Sequence, residues 1–330
     1  MKRILIIMAA VVAICGCNSG KPLLPSVSGK AGEIVVVIDK DNWEGTLGGE
    51  IRELLACDCP YLSQKEALYS LINVAPAAFT DIFKVHRNII MLIPDPQTDS
   101  SQVMYASDVW SAPQCVIQVC GKDAADCQRL VSEKGETIRN AFEQAERNRV
   151  INNSIKYEEK EVAEAVLPVF GGSAHFPTGY KLRKITDDFA WIAYDKGTTL
   201  QDILVYRYPA VEAEPFNKEA LLEHRNEILK NNVPGMRDNS WMTTSDGFPV
   251  TVNYTRYRGR EFAEMRGYWE VENDYMGGPF VSHSFFSEDG RDIITLDAFV
   301  YAPKYDKRQY LRQVEAILYS WEWASEQEKK

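Results

Sequence analysis

Apolar positions in the first half of the chain come in short unbroken runs, and in the second half they alternate with polar ones. Ile34–Ile38, flanked by Glu33 and Asp39, and "NIIMLIP" at residues 88–94 have the length and apolar content of buried strands. "VMYASDVWSAP" and "QCVIQVCG" give a third and a fourth strand. "GTLGGEIRELLACDCP" has helical spacing that ends near Pro60, and "ALYSLINVAPAAFTDIFKVHR" has helical spacing broken around Pro76. A long helix is predicted from about Asp123. Cys127, Leu130, Val131, Ile138, Ala141 and Phe142 keep a helical period, and Asp123 is placed to cap it. The next stretch, "ERNRVINNSIKYEEKE", is polar and marks a division near Lys156.

Beyond that division, "DDFAWIAYDKG" and "LQDILVYRYP" read as strands. "NKEALLEHRNEILKNNVPG" reads as a helix with Asn217 as cap and Pro234 and Gly235 as stop. In "VTVNYTRYRG", Val250, Val252 and Tyr254 alternate with Thr251, Asn253 and Thr255. In "FAEMRGYWEVEN", Ala263, Met265, Gly267, Trp269 and Val271 alternate with Glu264, Arg266, Glu270 and Glu272. Such strands bury one face in an antiparallel sheet. "FVSHSFFSEDGRDIITLDAFVYAP" reads as a hairpin turning on Asp289-Gly290 in a type I′ loop. The chain closes on a helix with Asp306 and Gln309 as a capping-box pair and Val314, Ile317, Leu318 and Trp321 on its apolar face. The fold class is therefore α+β. Two mixed α/β-sandwich-like domains are predicted, at 32–155 and 156–330, the second an antiparallel meander with flanking helices. Its element order is similar to the PsbP and Mog1 sandwiches, as a fold-level analogy.

The extreme N-terminus follows a different pattern. A basic start, Met1-Lys2-Arg3, precedes an apolar run from Ile4 to Ile14. As a helix that run would span about 16 Å, too short to cross a bilayer and suited to a signal peptide. Ile14-Cys15-Gly16-Cys17 resembles the bacterial lipobox, which implies cleavage after Gly16 and lipidation of Cys17. Several acyl chains on one cysteine anchor a protein stably. Residues 1–16 are then a signal peptide and 17–31 a lipidated tether. Asn18 in place of an acidic residue points to a periplasm-facing outer-membrane lipoprotein.

Composition narrows the partners. The net charge of −10 falls to −12 without Lys2 and Arg3, so there is no basic footprint for nucleic acid. Five cysteines remain beside Cys15 and Cys17: Cys57, Cys59, Cys115, Cys120 and Cys127. Their odd number leaves at least one unpaired. Cys115 and Cys120 point to opposite faces of one strand, whereas Cys120 and Cys127 could meet where strand gives way to helix. Buried small apolar thiols fit better than a metal site or cofactor, and neither is predicted.

No catalytic motif emerges. The four histidines show no HExxH spacing, and His224 is expected on the inner face of its helix. Ser282, His283 and Asp297 suggest a hydrolytic triad, but the hairpin register puts Ser282 across from Asp297 and His283 across from Leu296. Those pairs lie on opposite faces, so Ser282 and Asp297 are expected to hydrogen-bond to each other instead. "VFGGSAHFP" and "YMGGPFV" read as tight turns. A surplus of aromatic residues near the meander marks a candidate ligand or partner site at Trp241, Arg266, Trp269, Asp274 and Tyr275.

"SGKAGEIVVVIDKDNWEG", "VAPAAFTDIFKVHRNIIM" and "RGYWEVENDYMGGPFVSHSF", behind the lipobox, resemble the domain-of-unknown-function 4837 family of Bacteroides-type envelope lipoproteins. The resemblance covers nearly the whole mature chain, implies a lipid anchor in a Gram-negative envelope, and brings no catalytic residues. The combined reading is a non-enzymatic lipoprotein that binds a partner protein or an envelope glycan. The alternative is an envelope hydrolase using Glu270, Asp274 or Asp297. On this reading Arg266→Ala abolishes binding and leaves the melting temperature unchanged.

Overall fold

The apolar runs of the first half pair into one five-stranded sheet. Its strands are β1 (Glu33–Val37), β2 (Ser70–Val74), β3 (Asn88–Pro94), β4 (Gln102–Ser107) and β5 (Cys115–Gly121), in the order β2-β1-β3-β5-β4. The pairs β1–β2, β1–β3 and β3–β5 are parallel, and β4 joins antiparallel. Helices α1 (Lys40–Glu44) and α2 (Thr46–Leu55) follow β1, and the short α3 (Asp81–Lys84) precedes β3. The computed structural model describes residues 23–327, so the signal peptide and Cys17 lie outside the described residues. Strand β2 replaces the helix predicted there: Leu71 and Ile72 align with Ile34 and Val35, and that pairing overrides local spacing.

Helix α4 (Ala124–Lys156) joins the halves. Asp123 caps it by accepting from the Asp126 N–H at 2.8 Å. At 33 residues it is about 50 Å long. Its first turns pack Cys127, Leu130, Val131, Ile138 and Phe142 into the core of the first sheet, and Ile151 reaches the core of the second.

The second half contains α5 (Lys160–Phe170), β6 (Gly172–Ser173), β7 (Lys181–Ile185), β8 (Phe189–Ala193), β9 (Asp195–Lys196), β10 (Thr199–Pro209) and α6 (Lys218–Asn232). These are followed by β11 (Met242–Thr244), β12 (Thr251–Tyr257), β13 (Arg260–Val271), β14 (Gly277–Phe286), β15 (Asp292–Tyr301), α7 (Arg308–Tyr319), β16 (Glu322–Trp323) and α8 (Ala324–Gln327). The main sheet runs β11-β13-β14-β15-β10-β8-β7, all antiparallel, with β12 also paired to β13. One face packs under α5 and α7 through Val281, Phe285, Leu296, Val314 and Ile317. The other packs under α6 through Leu204, Leu229, Met265, Trp269 and Phe280. The fold is α+β.

Several local expectations are corrected. Residues 25–29, placed in the tether, are tied to the first half: Pro25 accepts from the Ala112 N–H at 2.9 Å, and Ser28 donates to Val85 at 2.8 Å. The hairpin keeps its register, with Ser282 opposite Asp297 and His283 opposite Leu296. Its loop is longer than two residues: Ser287 N–H bonds the Asp292 carbonyl at 2.9 Å, and Gly290, at φ 71°, is the loop residue with positive φ. Gly278 makes no turn. It lies in β14, where a Cβ would sit 2.0 Å from the Val300 oxygen, so the neighbouring strand requires glycine.

The start of α7 is also built differently. Asp306 and Gln309 do not cap it; Gln309 instead donates to the Ala31 carbonyl at 2.7 Å. The cap comes from the other half, where buried Glu66 accepts the N–H groups of Lys307 at 2.7 Å and Arg308 at 2.9 Å. A carboxylate there satisfies otherwise free N–H donors and meets the positive end of the helix dipole. Glu66→Ala is expected to cost about 1–3 kcal/mol, read as a lower denaturation midpoint at unchanged slope. A loss within error would show that water caps α7 equally well.

Candidate functional site

The five residues singled out from sequence do not meet. Trp269 is 1% exposed, in the core beneath α6, with its Nε1 donating to the Val300 carbonyl at 3.2 Å. Arg266, three residues earlier on β13, faces the opposite side, because strand side chains alternate. Trp241 lies half-buried with the Lys230 ammonium 4.7 Å from its ring. Asp274 is 3.7 Å from Arg237, whose guanidinium also lies 5.7 Å over the exposed Tyr275 ring. The carboxylates of the hydrolase reading are equally dispersed. Glu270 is exposed, Asp274 pairs with Arg237, and Asp297 is sealed at 0% exposure against Arg225 at 2.7 Å.

The Ser282 and Asp297 side chains do share a face. The Asp297 carboxylate nevertheless accepts from Arg225 of α6, and the Ser282 hydroxyl has no hydrogen-bond partner among the described residues. That helix buries Arg225 with Leu221 and Leu229, and His224 sits half-buried at the core edge, stacked on Tyr208 at 4.0 Å and bonded to Glu212 at 2.6 Å. The five cysteines beyond Cys17 are free thiols. Cys127 points its sulfur at the Val119 carbonyl, 3.7 Å away on the α4 side of β5, and the adjacent Cys120 points to the other side. Among the described residues no cluster of histidine, cysteine and acidic side chains is placed to hold a metal ion.

What the fold does assemble is a cleft of about 790 Å³ between the halves. Its walls are α4, α7 and the strands β12 and β13, and its roof is the loop 56–69. Along α4, Arg139, Glu143 and Arg147 recur every fourth residue, and along α7, Arg308, Arg312, Glu315 and Tyr319 form a matching stripe. Arg266 anchors the floor. Its Nε donates to Glu264 at 2.6 Å, and its Nη2 and Nη1 donate to Glu315 at 2.7 and 3.3 Å. Glu264 also accepts from the Tyr319 hydroxyl at 3.3 Å and lies 3.6 Å from His283 Nε2. Burial opposes ionisation of Glu264, but Arg266 and His283 outweigh it and hold its pKa well below the usual carboxylate range. Glu264 is therefore an acceptor and not an acid catalyst.

The second wall repeats this chemistry. Arg312 donates to Glu143 at 2.5 Å and covers the Tyr69 ring at 4.3 Å; Arg147 lies 3.6 Å over Tyr319. The roof is held by Thr251 donating to the Tyr61 hydroxyl at 2.8 Å and by the Tyr268 hydroxyl donating to Ser63 at 3.3 Å. Cys57 and Cys59 line the same cleft, and burial pushes the Cys59 thiol up to about 11, which removes it as a nucleophile at neutral pH.

Residues 159–320 match the model of a domain of unknown function, DUF4837. The chain belongs to the DUF4837 family. The match spans the C-terminal half, less than the sequence resemblance suggested, and residues 27–154 match a second domain of unknown function, DUF8532. The DUF4837 part supplies β13 and α7 to the cleft, and the DUF8532 part supplies the roof loop and the charged stripe of α4. No curated protein matches the chain. Among solved structures, the Ran-binding protein Mog1p of Saccharomyces cerevisiae is similar at 11% identity, covering 46% of this chain and 89% of that one, with a TM-score of 0.32. A Mog1 point mutant gives a TM-score of 0.30 at 11% identity, covering 46% of this chain and 90% of that one. A Bacteroides thetaiotaomicron protein gives 0.26 at 12% identity, covering 46% of this chain and 45% of that one.

The geometry reverses the expectation for Arg266→Ala. Removing it leaves buried Glu264 without its closest cation and half-buried Glu315 with Arg147 alone, 3.8 Å away, at a cost of up to about 3–5 kcal/mol. Chemical denaturation should show that loss; a change under about 1 kcal/mol would mean the two carboxylates find other partners. The pH dependence has a fixed sign. Because the folded-state pKa of Glu264 is depressed, its stabilising contribution is complete above the ordinary carboxylate range and is lost as pH falls below it. Wild type should lose stability in acid more steeply than Glu264→Gln, and equal slopes would contradict a carboxylate held ionised.

Proposed function

We propose that the protein is a lipid-anchored binding protein of the cell envelope that holds a polar envelope component, a glycan or a segment of a partner protein, in the cleft between its halves. The anchor rests on the leader and the Cys17 pattern, which favour a periplasm-facing outer-membrane lipoprotein. Among the described residues no helix is long and apolar enough to cross a membrane.

The observation that carries the binding reading is a set of three donors. Arg139 Nε, Arg308 Nε and Arg312 Nη1 are shielded from solvent, have no hydrogen-bond partner among the described residues, and belong to side chains lining the cleft. A buried unpaired donor costs about 1–3 kcal/mol, so a ligand whose acceptor oxygens draw these guanidinium groups round into the cleft recovers part of that cost. The carboxylates already engaged by Arg266 and Arg312 keep the cleft near electroneutrality, which suits a hydroxylated or amide-rich ligand better than a polyanion.

Two experiments test the proposal. Cys17→Ala should abolish metabolic labelling with palmitate and release the protein from membranes; a label that persists on the variant ends the lipoprotein assignment. Among the described residues the ion pair of Arg139 is a 3.8 Å contact with Glu136 on its own helix, so Arg139→Ala should fold normally. Purified from crosslinked envelopes, wild type should retain a component that mass spectrometry detects, and Arg139→Ala should retain about tenfold less at an unchanged melting temperature. Equal retention by the two proteins would remove the cleft as the binding site.

A further inference from the structure

Tyr319 walls the cleft on one side and a second, smaller cavity on the other. This cavity, about 250 Å³, lies where the β12–β13 turn meets the end of the chain, and two arginines, Arg258 and Arg260, and two carboxylates, Glu322 and Glu326, line it beside Tyr257 and Trp323. Trp321 and Trp323 stand perpendicular, with centroids 5.6 Å apart, and both pack their edges or faces on Phe285 at 5.7 Å. Tyr257 and Trp323 are half-buried, and the Arg258 guanidinium lies 5.3 Å over the Tyr257 ring.

Arg260 is the anomaly here. Arg87, Arg149, Arg225, Arg266 and Arg312 each have a carboxylate oxygen within 2.5–3.1 Å. Arg260 has no such ion pair among the described residues. It donates to the Trp321 carbonyl at 2.9 Å, lies 4.8 Å from the Phe285 ring, and leaves Nε unpartnered and shielded. Burial pulls its pKa down to about 10, with Glu326 acting in the opposite direction. A largely buried guanidinium whose nearby carboxylate, Glu326, makes no close ion pair with it is costly, and ring faces offset only part of that cost. An incoming carboxylate reaching the terminal nitrogens would supply the close ion pair that Glu326 does not.

We propose that this cavity is a subsite for a carboxylated sugar ring. The volume holds one ring-sized unit, Arg260 takes the carboxylate with Arg258 at the rim, and the faces of Tyr257 and Trp323 flank the ring. Glu326, which accepts from the Trp323 N–H at 2.9 Å, has a second oxygen for a sugar hydroxyl. The site is separate from the cleft, with the Tyr319 ring between them, so it can stand or fall independently of the function proposed above.

The test titrates the mature protein with sodium glucuronate, glucose and N-acetylphenylalanine, following tryptophan fluorescence and calorimetry. Glucuronate should saturate in the millimolar range and bind at least about tenfold tighter than glucose. Arg260→Gln and Trp323→Ala should each weaken it about tenfold or more, and Arg139→Ala should leave it unchanged. Arg258→Ala, at an exposed position, should weaken it less and gives a readout if Arg260→Gln fails to fold. Equal affinity for glucose, absence of saturation, or full affinity in Trp323→Ala would overturn the proposal. Tighter binding of N-acetylphenylalanine would overturn it in favour of a peptide carboxylate.

Discussion

The guanidinium of Arg266 holds the two layers around the cleft together. It grips Glu315 on α7 with two hydrogen bonds and Glu264 on its own strand with a third. Three charges taken out of water are costly, and only near-ideal geometry repays that cost. The repayment fixes the separation between helix and sheet, because guanidinium and carboxylates must meet edge to edge. Apolar side chains in the same places would pack the layers together and fill the space between α4 and α7. The cleft is thus a by-product of building this seam from ions.

A second buried ion pair lies beneath α6. Arg225 reaches Asp297 at 2.7 Å and Thr244 at 2.7 Å, with its guanidinium 3.6 Å over Phe280. Burial pushes the Asp297 carboxyl up, and Arg225 pulls against that. Such a cluster fixes which turn of α6 sits on which strand of the sheet, a register that apolar contacts alone would specify loosely. The hairpin register keeps Asp297 away from His283, whose ring lies on the other face between Phe262 at 4.2 Å and Tyr319 at 4.7 Å.

The strands were readable because alternation and apolar runs are local signals. The parity of β13 alone separates Arg266 from Trp269, so a single site containing both was already excluded by counting residues. Strand β2 was not readable, since its short apolar segment takes its conformation from pairing with β1. The cleft was hidden for a different reason. Arg139, Glu143 and Arg147 on one helix, and Arg308, Arg312 and Glu315 on another, each look like a solvated face. They become an interior only when the two stripes face each other, and nothing within either helix specifies that meeting. Glu264 and Arg266 misled in the same way: their face of β13 is polar, yet α7 and the loop 56–69 cover it.

The cap that Glu66 places on α7 also fixes an order of assembly. The carboxylate and the N–H groups it serves are separated by 241 residues in the chain. A chain that emerges N-terminus first completes the five-stranded sheet while the loop 56–69 has nothing to close on. Without α7, Glu66 and the charged stripe of α4 are left facing water. The final helix removes water from both at once, through contacts of long sequence separation. Truncation anywhere before α7 would therefore leave a first half that keeps its sheet but has no seam.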